Sequence, residues 1–164
     1  MVDYRRNRVP GGTFFFTVNL HNRQSTLLVD RVGELRDSFT AVREKHPFHI
    51  DAIVVLPGHL HAVWTLPDGD DDYALRWRLI KTRFTQSLNR SADTKVWQDR
   101  YWEHTIRDEP DFEAHVNYAH INPVKHGYVE RAIDWPHSSI HRYVREGVIA
   151  EDWAAEPLNG KFGE

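Results

Sequence analysis

An α+β fold is predicted, an antiparallel sheet with helices packed against it. Two runs of aromatic and β-branched residues, at 13–20 and 48–66, read as strands, the second broken by Pro57-Gly58. Two stretches near 32–42 and 75–88 carry apolar residues at helical spacing. No Gly/Ser-rich or Pro-rich linker divides the 164 residues, so one domain with a substantial core is expected.

Taken in order, Thr13-Phe14-Phe15-Phe16-Thr17-Val18-Asn19-Leu20 comes after Gly11-Gly12 and has the content of a buried strand. Asp30 is the expected cap of a helix carrying Val32, Leu35, Phe39 and Val42 and ending near Pro47. Residues 48–56 form a second strand, Pro57-Gly58 turns the chain, and 59–66 returns as a third. Asp72 caps a second helix reaching about Asn89, with Leu75, Leu79, Ile80, Phe84 and Leu88 along one stripe. Residues 96–106 suit a fourth strand or an irregular extended segment.

The order strand-helix-strand-strand-helix-strand is the ferredoxin-like arrangement, with two helices on one face of the sheet. A further helix starts near Asp108-Glu109-Pro110-Asp111, where acids complement the helix dipole. It is expected to stop at Asn122, because Pro123 disfavours helical geometry in the residue before it. Ser138-Ser139 caps a short helix through about Glu146, and Trp153 is an anchoring aromatic beyond it. The domain is expected over 1–153, with 154–164 a flexible tail.

Composition removes several classes of function. With no cysteine there is no disulfide framework, zinc ribbon or thiol nucleophile, so a metal must be held by nitrogen and oxygen. Neither a signal-like apolar core nor an apolar run of membrane-spanning length is present, so a soluble cytoplasmic protein with no membrane partner is expected. A net charge of -3 argues against a uniformly basic nucleic-acid binder. The cations are nevertheless clustered, as Arg5, Arg6 and Arg8, and as Arg76, Arg78, Lys81, Arg83 and Arg90 in a stretch without acids. Such clusters either contact phosphates or form a solvated helix face. The acidic turn Asp68-Gly69-Asp70-Asp71-Asp72 reads as a loop and cap, with cation binding as the alternative.

The chemistry concentrates in His59-Leu60-His61. Residues two apart on a strand share a face, so the imidazoles can share one metal ion, while Leu60, Ala62, Trp64 and Leu66 are needed beneath the helices. The histidine face is therefore the opposite one, and the later, tyrosine-bearing helix is expected on it. On the later helix His115, Tyr118 and Asn122 fall on one stripe beside Phe112, Val116 and Ala119. Asn122 can offer an amide oxygen as a third ligand, and Tyr118 can attack a phosphodiester polarised by the metal. A phenol with an ordinary pKa of about 10 needs help to react. A nearby cation can stabilise the phenolate, and metal-bound water, His115 or His120 can take the proton; the spacing does not choose among them. The bland alternatives are hydrogen-bonded strand histidines, a core-edge tyrosine and an asparagine helix stop.

Together these motifs make the chain resemble the REP-associated tyrosine transposases, relatives of the single-tyrosine insertion-sequence transposases in the HUH nuclease superfamily. The matching pieces are Val9-Pro10-Gly11-Gly12-Thr13-Phe14-Phe15-Phe16-Thr17-Val18, Leu56-Pro57-Gly58-His59-Leu60-His61, Tyr101-Trp102-Glu103, Tyr118-Ala119-His120-Ile121-Asn122-Pro123-Val124-Lys125-His126-Gly127 and Trp135-Pro136-His137-Ser138-Ser139, in family order across about residues 4–153. The resemblance implies that His59 and His61 are metal ligands and Tyr118 the nucleophile. It puts Asn122 where related enzymes carry a third ligand, usually glutamine.

Magnesium or manganese is the implied ion, although two histidines could also bind zinc. Implied too is cleavage and rejoining of single-stranded DNA near hairpin-forming repeats, through a covalent 5′-phosphotyrosine and a free 3′-hydroxyl. Arg5, Arg6, Arg8, Arg76, Arg78, Lys81, Arg83, Lys125 and His126 are the candidate DNA contacts. A monomer is expected, with a dimer as the alternative. Two other functions compete: a metal-dependent hydrolase using water, which would not depend on Tyr118, and a hairpin-binding protein without turnover.

Overall fold

Side-chain alternation along the strands fills the sheet from both sides, with carbon on one and with carbon and polar groups together on the other. The computed structural model describes residues 6–89, 94–155 and 162–164. Strands β1 (Thr13–Asn19), β2 (His49–Val55), β3 (His59–Thr65) and β4 (Trp102–Thr105) form one sheet in the order β2-β3-β1-β4, with every pairing antiparallel. Helices α1 (Leu27–Asp30) and α2 (Val32–Lys45) precede β2, and α3 (Tyr73–Ser87) precedes β4. Helix α4 (Glu109–Lys125), a 3-10 turn (Ala132–Asp134) and α5 (Ile140–Arg145) complete the order. The predicted ferredoxin-like order is the observed one.

Phe14, Phe16, Leu60, Ala62 and Trp64 point to one face and meet Leu35, Phe39 and Val42 of α2 and Tyr73, Trp77, Ile80 and Phe84 of α3. Trp64 and Trp77 stack at 4.2 Å and Phe16 lies 4.8 Å from Trp64, contacts of the kind that add about 0.5–1.5 kcal/mol beyond burial. Phe15, Ala52 and Val63 face the other way and carry Val116 and Tyr118 of α4. β3 is thus buried on both faces, with α4 on its histidine face as expected.

Four boundaries differ from the sequence expectation. Asp30 ends α1, taking a hydrogen bond from the Thr26 hydroxyl, and α2 begins after a break at Arg31. Asp72 does cap α3, accepting from the Leu75 N–H, but the helix ends at Ser87, shortly before Asn89 turns left-handed at φ 54°. β4 is confined to Trp102–Thr105, and Trp97 only bridges Leu20.

The consequential difference is at the end of α4. Pro123 lies inside the helix, which runs on to Lys125 and closes with His126 N–H donating to the Asn122 carbonyl. A proline forfeits one backbone donor, a loss the last turn absorbs before Gly127 at φ 76° ends the helix. The start of α4 is fixed by Asp108, which caps it, and by Asp111, which holds His104 of β4 at 2.8 Å.

Two further features set the site. Gly58 in the β2–β3 turn is required, since a Cβ there would sit 2.6 Å from the Arg23 carbonyl oxygen. Residues 137–139 run along the free edge of β2, with Val55 N–H donating to the His137 carbonyl and Ser139 N–H to that of Ile53. Trp135 adds an indole hydrogen bond to the Val55 carbonyl.

Candidate active site

Five polar side chains from β3 and α4 converge on one carboxylate. His59 and His61 project from β3 beneath α4, and their Nε2 atoms lie 3.2 and 2.6 Å from Oε1 of Glu164. From α4, Asn122 donates to the same oxygen at 2.8 Å and His126 approaches it at 3.3 Å. Lys125 donates to Tyr118 Oη at 2.9 Å and reaches the other oxygen of Glu164 at 2.5 Å. Tyr118 is 2% exposed, with its ring 5.2 Å from that of His61. The histidine pair, Tyr118 and Asn122 are therefore one cluster, as their spacing predicts.

Burial sets the protonation. His61 is fully buried and its pKa falls to about 4, so the ring is neutral at physiological pH. Thr17 of β1 holds His61 Nδ1 at 2.8 Å, which aims Nε2 into the cluster. Burial would raise the Glu164 carboxyl, but His126, His59 and His61 more than reverse this and hold it ionised. Tyr118 is pushed well above the ordinary phenol range, first by burial and then by the adjacent Glu164.

Asn122 Oδ1 is buried without a hydrogen-bond partner. Turned over, the amide would present that oxygen to the cluster. Two neutral-capable imidazoles and an amide oxygen are a donor set that fits a divalent cation, and His59, His126 and Glu164 also lie close enough to share one. Residues 162–164 belong to the stretch expected to be a loose tail, yet they pack into the site. The Phe162 ring stacks on Tyr118 at 3.8 Å and the Phe162 carbonyl meets the Thr17 hydroxyl.

Neither proton acceptor suggested by sequence contacts Tyr118 Oη. His115 Nδ1 bonds the Asp111 carbonyl at 2.8 Å, and its ring stacks on His104. His120 is buried against Ser139 at 2.8 Å, with its pKa lowered by burial to about 3. Lys125 and His126, expected as DNA contacts, reach the cluster. Their spacing carries the signal: His126 is four residues after Asn122 and Lys125 seven after Tyr118, both helical intervals. The expected stop at Pro123 hides it.

The cationic residues divide. Arg76 is 2% exposed and fully engaged, by Asp70 at 2.8 Å and by the carbonyls of His46, Pro47 and Asp72. It is a structural residue, and its reading as a DNA contact is corrected; the acidic turn likewise exists to cap α3 and hold Arg76. Arg6, Arg78 and Lys81 line a cleft of about 340 Å³ with Trp97 and Tyr101, on the α3 side of the sheet. In it Arg6 pairs with Glu103 at 3.1 Å and covers the Tyr101 ring, and Lys81 donates to the Gln98 carbonyl. Arg83 is exposed elsewhere on α3, and Arg8 is exposed beside Asp71. Arg5 and Arg90 lie outside the described residues. No helix among the described residues is long and apolar enough to cross a membrane.

No protein-family model matches the chain. It is 48% identical to the REP-associated tyrosine transposase of Escherichia coli (strain K12), over 100% of this chain and 98% of that one. A second relative, from Haemophilus influenzae, is 41% identical over 96% of each chain. A solved structure of a REP-associated tyrosine transposase bound to a REP hairpin superposes with a TM-score of 0.95 at 48% identity, over 100% of this chain and 98% of that one. Fold and likeness together define an enzyme of the tyrosine transposase class. Within that class the chain belongs to the REP-associated tyrosine transposases.

Proposed function

We propose that the protein cleaves and rejoins single-stranded DNA beside hairpin-forming repeats through a covalent 5′-phosphotyrosine on Tyr118, with a divalent ion held by His59, His61 and Asn122. The observation that carries this reading is the convergence of two imidazoles, the buried amide and the phenol around one carboxylate. The ion, magnesium or manganese, would supply positive charge to the scissile phosphate when bound. The relative bound to a REP hairpin supports hairpin DNA as the partner.

Tyr118 attacks phosphorus, forming the tyrosyl O–P bond as the P–O3′ bond breaks. The phenolate is both nucleophile and leaving group, so the free 3′-hydroxyl can reverse the step without a high-energy cofactor. Thr17 keeps His61 aimed inward. Glu164 and Phe162 occupy the space over the histidines and Tyr118, so they must withdraw before a phosphodiester enters. Arg6, Arg8, Arg78, Lys81 and Arg83 position the strand through its phosphates, the protein acting as a monomer.

Incubation with manganese and a hairpin oligonucleotide carrying single-stranded flanks, then a denaturing gel, tests this. A protein–DNA adduct from the wild type, absent for Tyr118→Phe although that variant still binds, is expected. Cleavage without an adduct would instead show a hydrolase, and binding without cleavage a passive hairpin binder.

A further inference from the structure

Because α4 continues through Pro123, Lys125 returns to the face of Tyr118 two turns later. Its ammonium donates to the phenolic oxygen at 2.9 Å and stands 4.9 Å from the ring centre. We propose that Lys125 is a catalytic residue, the fixed cation that stabilises the Tyr118 phenolate as it attacks and again as it departs when the strand is rejoined. This rests on Tyr118 being the nucleophile.

Three features of the site support the role. Tyr118 is buried among Phe15, Phe162 and His61, surroundings that disfavour a phenolate unless a charge compensates it. Neither His115 nor His120 is placed to do so, and Lys125 meets the oxygen directly. Lys125 also pairs with Glu164, so the same ammonium is already engaged with an anion in the space a phosphodiester would enter. Withdrawal of that carboxylate frees Lys125 to serve the phenolate and the incoming phosphate.

The step balances without further reactants. The tyrosyl O–P bond forms while P–O3′ breaks; the phenol's proton passes to solvent and the departing 3′-oxygen takes one up. Lys125 remains an ammonium throughout, a hydrogen-bond donor to charge as it develops.

The test compares adduct formation and hairpin binding for wild type, Lys125→Met and Lys125→Arg, each also carrying fluorotyrosine at position 118. Fluorination makes the phenol a stronger acid and so relieves dependence on a neighbouring cation. Lys125→Met is expected to slow adduct formation about 10²-fold, the scale of losing one such donor, with binding changed less than about twofold. Lys125→Arg should recover much of the rate, and fluorotyrosine should accelerate Lys125→Met more than wild type. An unchanged rate, a binding loss that matches the rate loss, or no selective rescue by fluorotyrosine would each overturn the proposal. Should Lys125→Met fail to fold, Lys125→Gln, which also removes the cation, takes its place in the same comparison. Absence of any wild-type adduct would overturn the functional reading itself, and the lysine's role with it.

Discussion

The two faces of the sheet are both closed to water, yet they are filled by different means. Under α2 and α3 the filling is carbon, with Trp64, Trp77, Phe16 and Tyr73 interlocked. Under α4 a smaller apolar cluster of Phe15, Ala52, Val63 and Val116 adjoins two histidines, an asparagine and a tyrosine, whose hydrogen bonds run to Lys125 and Glu164. The first arrangement gains from every apolar atom removed from water. The second would cost several kcal/mol if its polar groups were left unpaired. Burial on the histidine face therefore joins a small second core to a polar cluster.

That contrast can be broken from either side. Trp77→Ala should cost about 3–5 kcal/mol in chemical denaturation while leaving the adduct rate per folded molecule near wild type. His61→Ala should do the reverse, lowering the adduct rate about 10²–10³-fold with a far smaller stability change. Equal stability losses for the two would show that both faces are simply core.

Among the cations the same contrast recurs. Arg76→Met should destabilise by about 3 kcal/mol, since it strands Asp70 and three carbonyls, without altering the salt dependence of hairpin binding. Arg78→Ala should reduce that salt slope by about 1 with little stability change. Glu164→Gln weakens the plug over the histidines and should speed adduct formation about tenfold by enlarging the open fraction. A slower reaction would make Glu164 a participant.

The smallest effect is a pH effect. Arg76 and the Asp72 N–H hold Asp70 at about 2, below its ordinary 3.8. A depressed carboxylate contributes stability above its unfolded pKa and loses it as pH falls through the folded one. Allowing for the one third of its side chain that is exposed, Asp70 should contribute about 1 kcal/mol at neutral pH. Asp70→Asn should lose that margin at pH 5 and approach the wild type near pH 2, as read by urea midpoints.

How far the sequence reveals each face is governed by the same physics. Period-two alternation in β3 separates His59 and His61 from Leu60, Ala62 and Trp64, and that division holds. It cannot say how completely the histidine side is buried, because that depends on how closely α4, distant in the chain, packs on it. Arg76 stands among exposed cations in sequence, and only the packing of α3 against residues 46–47 turns it inward. Lys125 and His126 are hidden by a local rule for proline that the end of a helix can absorb, and Glu164 gives no local signal at all.

Mass spectrometry of the trapped protein–DNA adduct after proteolysis tests the convergence most directly. Tyr118 lies on α4 with its ring 5.2 Å from that of His61, and the half-exposed Tyr128 follows the end of that helix. A phosphonucleotide on the peptide containing Tyr118, and on no other, is the expected result. The same mass on Tyr128, or on any residue away from the histidine pair, would contradict it.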